Sequence, residues 1–276
     1  MTVNGDASMN RRMPVAFFGH GNPLNALEDN DYTRGWQAVG RTFGRPRGIL
    51  SISAHWYLPG VAVTAQNAPP TIHDFGGFPR ALYEVQYPAP GDPALAARVA
   101  DLLAPLPVAQ SNDWGLDHGT WAVLCHVYPQ ADIPVVQLSI DETRPPKFHY
   151  DLGQRLRPLR NEGILIAASG NLVHNLHAYA WGRHPTAPFD WAVRFETQAR
   201  ELLLERRFDP LVAYEAMGRD AQLSAPTPDH YLPLLYACGA SDDGDGTSFP
   251  VEGIDGGSLS MLSVLFTPSG HTASTA

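Results

Sequence analysis

Short apolar runs alternating with helix-length amphipathic segments restrict the fold of this chain more than any other feature. Val15–Phe18, Ile49–Ile52, Val61–Ala65, Ile133–Ile140 and Ile164–Ala168 read as buried strands, and Leu259–Phe266 as a last one. Asp31–Arg41, Pro93–Leu103, Lys147–Leu159, Trp191–Arg206 and His230–Ala237 carry helical spacing, with Pro93 and Pro145 where a helix start tolerates proline. Strands buried on both faces and separated by helices predict an α/β fold class: a single domain with a mostly parallel central sheet flanked by helices. The chain has 276 residues, 44% of them hydrophobic, enough for the core of one such domain. We expect that domain over residues 13–268, between a disordered N-terminal segment, 1–12, and a flexible tail, 269–276.

Charge and motifs remove several classes of function. The net charge is -9 and no basic tract stands out, so nucleic acid is not an expected partner. No stretch reaches the roughly 20 apolar residues of a membrane span, so no membrane partner is expected. The apolar run Pro14–Phe18 is too short for a signal-peptide core, and the expected compartment is cytoplasmic. Cys125 and Cys238 form no CxxC pair and read as reduced thiols. There is no Walker A loop, HExxH, GxSxG or post-strand GxGxxG. Residues 241–246 alternate aspartates as a calcium loop does, but lack the acidic first position, and read as a surface hairpin loop.

The histidines carry the chemical signal. His20 (Gly19-His20-Gly21-Asn22-Pro23), His55 (Ser53-Ala54-His55-Trp56), His118 (Leu116-Asp117-His118-Gly119-Thr120-Trp121) and His174 (Ser169-Gly170-Asn171-Leu172-Val173-His174) lie just past predicted strand ends. Open α/β sheets bind ligands there, and imidazole serves both as a metal ligand and as an acid–base group near neutrality. His20 alone reads equally as a turn residue, but His20 and His55 at adjacent strand exits point jointly to metal ligation. His118 lies in a loop framed by Trp114 and Trp121; wedging between indoles would desolvate it and keep it neutral and basic, while a stacked structural role suits the segment as well. His174 follows a small-residue exit that lets a substrate approach. His230, after a proline-fixed loop, reads alone as a helix-terminal residue.

Other positions are candidates for holding substrate. His73 and Asp74 sit in a glycine-rich loop, Asn171 in the strand-exit motif, and His177 near His174 at a pocket entrance. Phe75, Phe78, Trp56, Trp114 and Tyr231 could frame an aromatic ring or simply pack the core. His126, His149, His184 and His271 read as surface or packing residues.

Taken in order, these motifs resemble the class III extradiol dioxygenases of the LigB-type superfamily, especially the DOPA 4,5-dioxygenase group and its bacterial YgiD-like branch. The resemblance rests on the histidine motifs above, on 72–79 (Ile-His-Asp-Phe-Gly-Gly-Phe-Pro), on 82–91 (Leu-Tyr-Glu-Val-Gln-Tyr-Pro-Ala-Pro-Gly) and on 227–235 (Thr-Pro-Asp-His-Tyr-Leu-Pro-Leu-Leu). It implies one divalent metal held by His20, His55 and His230, the last standing where many superfamily members place a glutamate. It implies acid–base and substrate roles for His118 and His174, with His174 a possible further ligand. The implied partners are a small-molecule catechol such as L-DOPA and O2, the implied reaction ring opening to a semialdehyde acid, and the expected state a monomer or weak homo-oligomer. Fe(II) is the expected active metal. An all-histidine set also suits Zn(II), which binds more tightly in the usual order, so protein isolated in air could carry zinc and be inactive. The chain departs from the plant members at His174-Asn175-Leu176-His177, where they carry an HPxNxTP-type run. Two rival readings remain: a zinc-dependent hydrolase using the same histidines, and a non-catalytic binding protein, against which the retention of His118 and His174 argues.

Overall fold

The computed structural model describes residues 12–183 and 185–269. The disordered start and flexible tail expected from the sequence, with His184 and His271, fall on residues outside these, apart from Arg12 and Ser269. Those two are tied to the 241–246 turn: Arg12 pairs with Asp242 at 2.5 Å, and the Ser269 hydroxyl donates to the Gly244 carbonyl.

The strands are β1 Val15–Gly19, β2 Gly48–Leu58, β3 Val61–Thr64, β4 Val108–Ser111, β5 Val135–Asp141, β6 Ile164–Gly170, β7 Asp245–Val251, β8 Ile254–Asp255, β9 Leu259–Ser260 and β10 Ser263–Pro268. The helices are α1 Asp31–Phe43, α2 Arg80–Tyr83, α3 Pro93–Leu103, α4 His118–Val127, α5 Pro146–Leu156, α6 Asp190–Leu204, α7 Phe208–Val212, α8 Arg219–Ser224 and α9 Leu232–Ala240. Eight strands form one sheet in the order β4-β3-β5-β2-β6-β1-β10-β7. The central four, β5-β2-β6-β1, are mutually parallel; β10 joins β1 antiparallel, and β3 joins β5 antiparallel. Apolar residues of α3, α5, α6 and α9 pack on one face of the sheet, and those of α1 and α4 on the other. The expected α/β architecture is therefore present, its parallel part confined to the middle of the sheet.

Local chemistry explains the helix boundaries. Asn30 caps α1 through a capping box with Thr33, and Asp92 caps α3 ahead of Pro93. The loop expected from Trp114 to Trp121 gives way at His118 to a helix that runs to Val127. It is buried on nearly every side, so it lacks the amphipathic period that marks a surface helix. Asp117 caps it, accepting from the Thr120 N–H. The helix expected from His230 begins at Leu232 and ends at Ala240, which leaves His230 in the preceding turn. The expected last strand divides into β9 and β10 around Met261 and Leu262.

The 241–246 segment is not a surface hairpin loop but the turn from α9 into β7. Asp245 is buried there and takes a bidentate pair from Arg160 at 2.7 and 2.9 Å. Arg160 also donates to the carbonyls of Met13 and Ala240. One guanidinium thus joins the start of β1, the end of α9 and the start of β7. A buried cation that loses its partner is strongly destabilising. Asp245→Ala should cost about 3–5 kcal/mol in urea unfolding, whereas a loss below about 1 kcal/mol, the level of an exposed pair, would show that the pair does not hold the fold.

Candidate active site

Register brings distant histidines together. Gly19 of β1 lies beside Gly170 of β6, and Ser169 beside Ser53 of β2. His20 leaves β1 at this level, and its N–H donates to the Gly170 carbonyl. His55 lies within β2 rather than past its end. The pairing of β2 with β5 is irregular between Ile52 and Tyr57, and this break accompanies the inward position of His55.

Glycine makes room for His230. A Cβ on Gly170 would stand 2.2 Å from the His230 carbonyl oxygen, so only glycine lets that turn close over β6. The same carbonyl accepts from the Asn171 N–H at 2.9 Å. Gly119 serves α4 similarly: a Cβ there would meet the Ser53 hydroxyl at 2.5 Å. His118, the first residue of α4, thereby lies against His55 with ring centroids 3.8 Å apart.

His20, His55 and His230 each offer a ring nitrogen within 4.8 Å of the others. The Nε2 atoms of His20 and His55 approach to 3.2 Å. In each of the three rings Nδ1 faces a polar group. Ser169 donates its hydroxyl to the Gly119 carbonyl, so its oxygen accepts from His20 Nδ1 at 2.9 Å. Asp229 accepts from His230 Nδ1, and Asp74 stands 3.4 Å from His55 Nδ1. Partners on Nδ1 place the proton there and leave Nε2 as the ligand atom. Burial first, and then the neighbouring imidazoles, push the pKa values of His20 and His55 well below the ordinary histidine value. Neutral, oriented imidazoles are what a divalent transition metal requires, and this donor set fits one.

Two further histidines complete the constellation. Asp74 accepts from the His118 backbone N–H and from its Nδ1, both at 2.9 Å, leaving Nε2 as an acceptor. Burial acts to raise the Asp74 carboxyl, yet the hydrogen bond and charge of His118 hold it below the ordinary range. His174 stacks face to face on His230, with centroids 3.5 Å apart and planes 2° from parallel. Burial, then the charge of His230, lower its pKa to about 3. Behind the site Asp117 is pushed up to about 6 by burial and then by Asp74.

All five histidines line one cavity of about 230 Å³, together with Phe78, Leu176, Tyr179, Trp181 and Leu259. A larger groove of about 540 Å³ runs beside α1 and α4, but its one histidine, His126, is bonded to the Asn25 carbonyl, and no comparable cluster lies there. The remaining candidates stand around the cavity rather than in its wall. His118 is not wedged between indoles: Trp114 stacks on Trp56 instead, with planes 6° apart. Phe75 packs against the His118 ring, and His73 bonds to the Val85 carbonyl and braces the same loop. Asn171 donates to the Ser260 carbonyl, His177 is exposed outside the lining, and Tyr231 is buried against Tyr214 with its hydroxyl on the Leu211 carbonyl. Residue-by-residue reading passed over Ser169, Asp229, Leu176, Tyr179 and Trp181. The adjacency of Asp229 to His230 was the one local signal of a partner.

Because Ser169 alone orients the His20 ring from behind, Ser169→Ala should weaken metal retention by about 10–100-fold, measured by chelator competition on folded protein. Retention equal to the parent would separate Ser169 from the metal centre.

The family described as the catalytic LigB subunit of aromatic ring-opening dioxygenase matches residues 25–256. The chain is 53% identical to the 4,5-DOPA dioxygenase extradiol of Escherichia coli (strain K12), over 92% of this chain and 94% of that protein. It is 37% identical to the 4,5-DOPA dioxygenase extradiol of Beta vulgaris, over 91% of this chain and 95% of that one. The crystal structure of an uncharacterized protein from Escherichia coli K12 superposes with a TM-score of 0.81 at 47% identity, covering 92% of this chain and 100% of the other. With the histidine cavity at the carboxyl ends of its central strands and this match across most of its length, the chain belongs to the LigB family of aromatic ring-opening dioxygenases.

Proposed function

We propose that this protein is an Fe(II)-dependent extradiol dioxygenase that opens the ring of a catechol such as L-DOPA to a semialdehyde acid. The observation that carries the proposal is the convergence of three candidate ligands and two further histidines on one cavity with an otherwise mainly apolar wall. His20, His55 and His230 would hold the metal. Bound Fe(II) would supply the activation of catecholate and dioxygen that side chains lack. The protein's own part is proton movement and exclusion of water.

In this reading His118 takes the first proton. Its Nδ1 is committed to Asp74, so Nε2 is the basic atom on the cavity side and can accept a catechol hydroxyl proton. Asp74 then stabilises the imidazolium, as a carboxylate behind a catalytic histidine does. His174 is neutral and half-buried, and serves as the second proton-handling group while its stacking on His230 fixes the ring plane. Phe78, Leu176 and Trp181 shield the reacting ring from solvent. Zn(II) would occupy the same ligands without the redox chemistry.

Dioxygen uptake tests the reading. Protein reconstituted anaerobically with Fe(II) should consume one O2 per catechol and form a yellow product, and the zinc-loaded protein should consume none. Equal turnover by the zinc form, or no uptake with any catechol at full iron loading, would overturn it. His118→Ala should keep its metal and still bind catechol while losing about 10²–10⁴-fold in turnover, the usual contribution of general acid–base catalysis. Parental turnover in that variant would remove His118 from the reaction.

A further inference from the structure

The segment that follows the first proposed ligand continues along the cavity: His20, Gly21, Asn22 and Pro23 line it in succession. The backbone donors on either side are used. The His20 N–H donates to the Gly170 carbonyl, and the Leu24 N–H to the Asn22 side chain at 2.9 Å. Between them, the N–H groups of Gly21 and Asn22 have no acceptor among the described residues. Gly21 is buried and Asn22 half-buried. A buried backbone N–H without a partner is rare in a folded protein, and two in succession on a cavity wall call for a ligand that accepts from them.

Local chemistry keeps both donors uncovered. Gly21 has a φ of 64°, which favours glycine, and a Cβ there would collide with the Met261 sulfur. It therefore carries no side chain that could bend back over the pair. The Asn22 side chain is committed elsewhere, to the Leu24 N–H and to Tyr179. An anion leaving water needs hydrogen-bond donors to replace its hydration. A carboxylate that accepts from backbone N–H groups forms charge-assisted bonds, roughly twice as strong as those of a neutral acceptor.

We propose that the Gly21 and Asn22 N–H groups receive a carboxylate on the side arm of the catechol, so that this cavity prefers dihydroxyphenyl acids to catechols with neutral arms. The proposal rests on the extradiol reading, which sets the two hydroxyls among the histidines and leaves the arm to reach the neighbouring wall. L-DOPA carries such a carboxylate.

Binding to the zinc-loaded protein separates recognition from oxygen chemistry. Dissociation constants would be measured by calorimetry for catechol, 3-(3,4-dihydroxyphenyl)propionate and the corresponding propanamide, which has the same shape without the charge. The propionate should bind about tenfold more tightly than the amide. Asn22 has φ -77° and ψ 137°, angles that proline adopts, so Asn22→Pro deletes one N–H at little cost to the backbone, while Asn22→Ala loses the same side chain and keeps that N–H. The preference should persist in Asn22→Ala and fall several-fold in Asn22→Pro. Independently of how the variants fold, the amide proton resonances of Gly21 and Asn22 in the parent should move downfield with the propionate and much less with the amide. A propionate that binds no better than the amide, a preference unchanged in Asn22→Pro, or resonances that do not move overturns the proposal while leaving extradiol chemistry standing. Failure of every catechol to bind, the unsubstituted one included, overturns both.

Discussion

Close backbone approach at the ends of β1 and β6 is the constraint on which the rest of the site depends. Two adjacent parallel strands end in glycine at the same level, and the space that side chains would fill is taken by the backbone of other segments. The His230 carbonyl sits over Gly170, and the Met261 backbone over Gly19. Histidines separated by some two hundred residues reach one another because the main chains that carry them approach so closely. The flanking antiparallel strands contribute no histidine to the cavity; they widen the sheet and bury its middle.

Burial gives this arrangement its chemical character. Packed among other imidazoles and withdrawn from solvent, His20 and His55 resist protonation and present lone pairs at neutral pH. The carboxylates of Asp74 and Asp229 do the opposite work, remaining ionised behind the rings. Negative charge therefore lies behind the rings, and no carboxylate stands in the cavity lining among the described residues. Separating the charged layer from the lining lets a strongly acidic protein offer a cavity whose wall is mainly apolar, with polarity concentrated at one end.

Much of this was legible in the chain, for identifiable reasons. Buried parallel strands are uniformly apolar and short, so β1, β2, β5 and β6 stood out, and the positions of His20 and His174 followed from them. The α4 helix was hidden because complete burial erases amphipathic periodicity, and His118 was consequently placed in a loop. The indoles expected around His118 had found each other instead. Arg160 and Asp245 were invisible as a pair, since no local pattern links residues 85 positions apart. The cavity wall at Leu176, Tyr179 and Trp181 was equally hidden, because exposed apolar residues in a turn carry no period.

Asp74 faces two rings at once, His55 at 3.4 Å and His118 at 2.9 Å. A single carboxylate bonded to a proposed ligand and to the proposed proton acceptor couples the two roles at that position. On the proposed roles of the two rings, replacing Asp74 would disturb metal binding and proton uptake together. Ser169 and Asp229, by contrast, each bond to a single imidazole of the proposed metal set, although the charge of Asp229 also reaches His174.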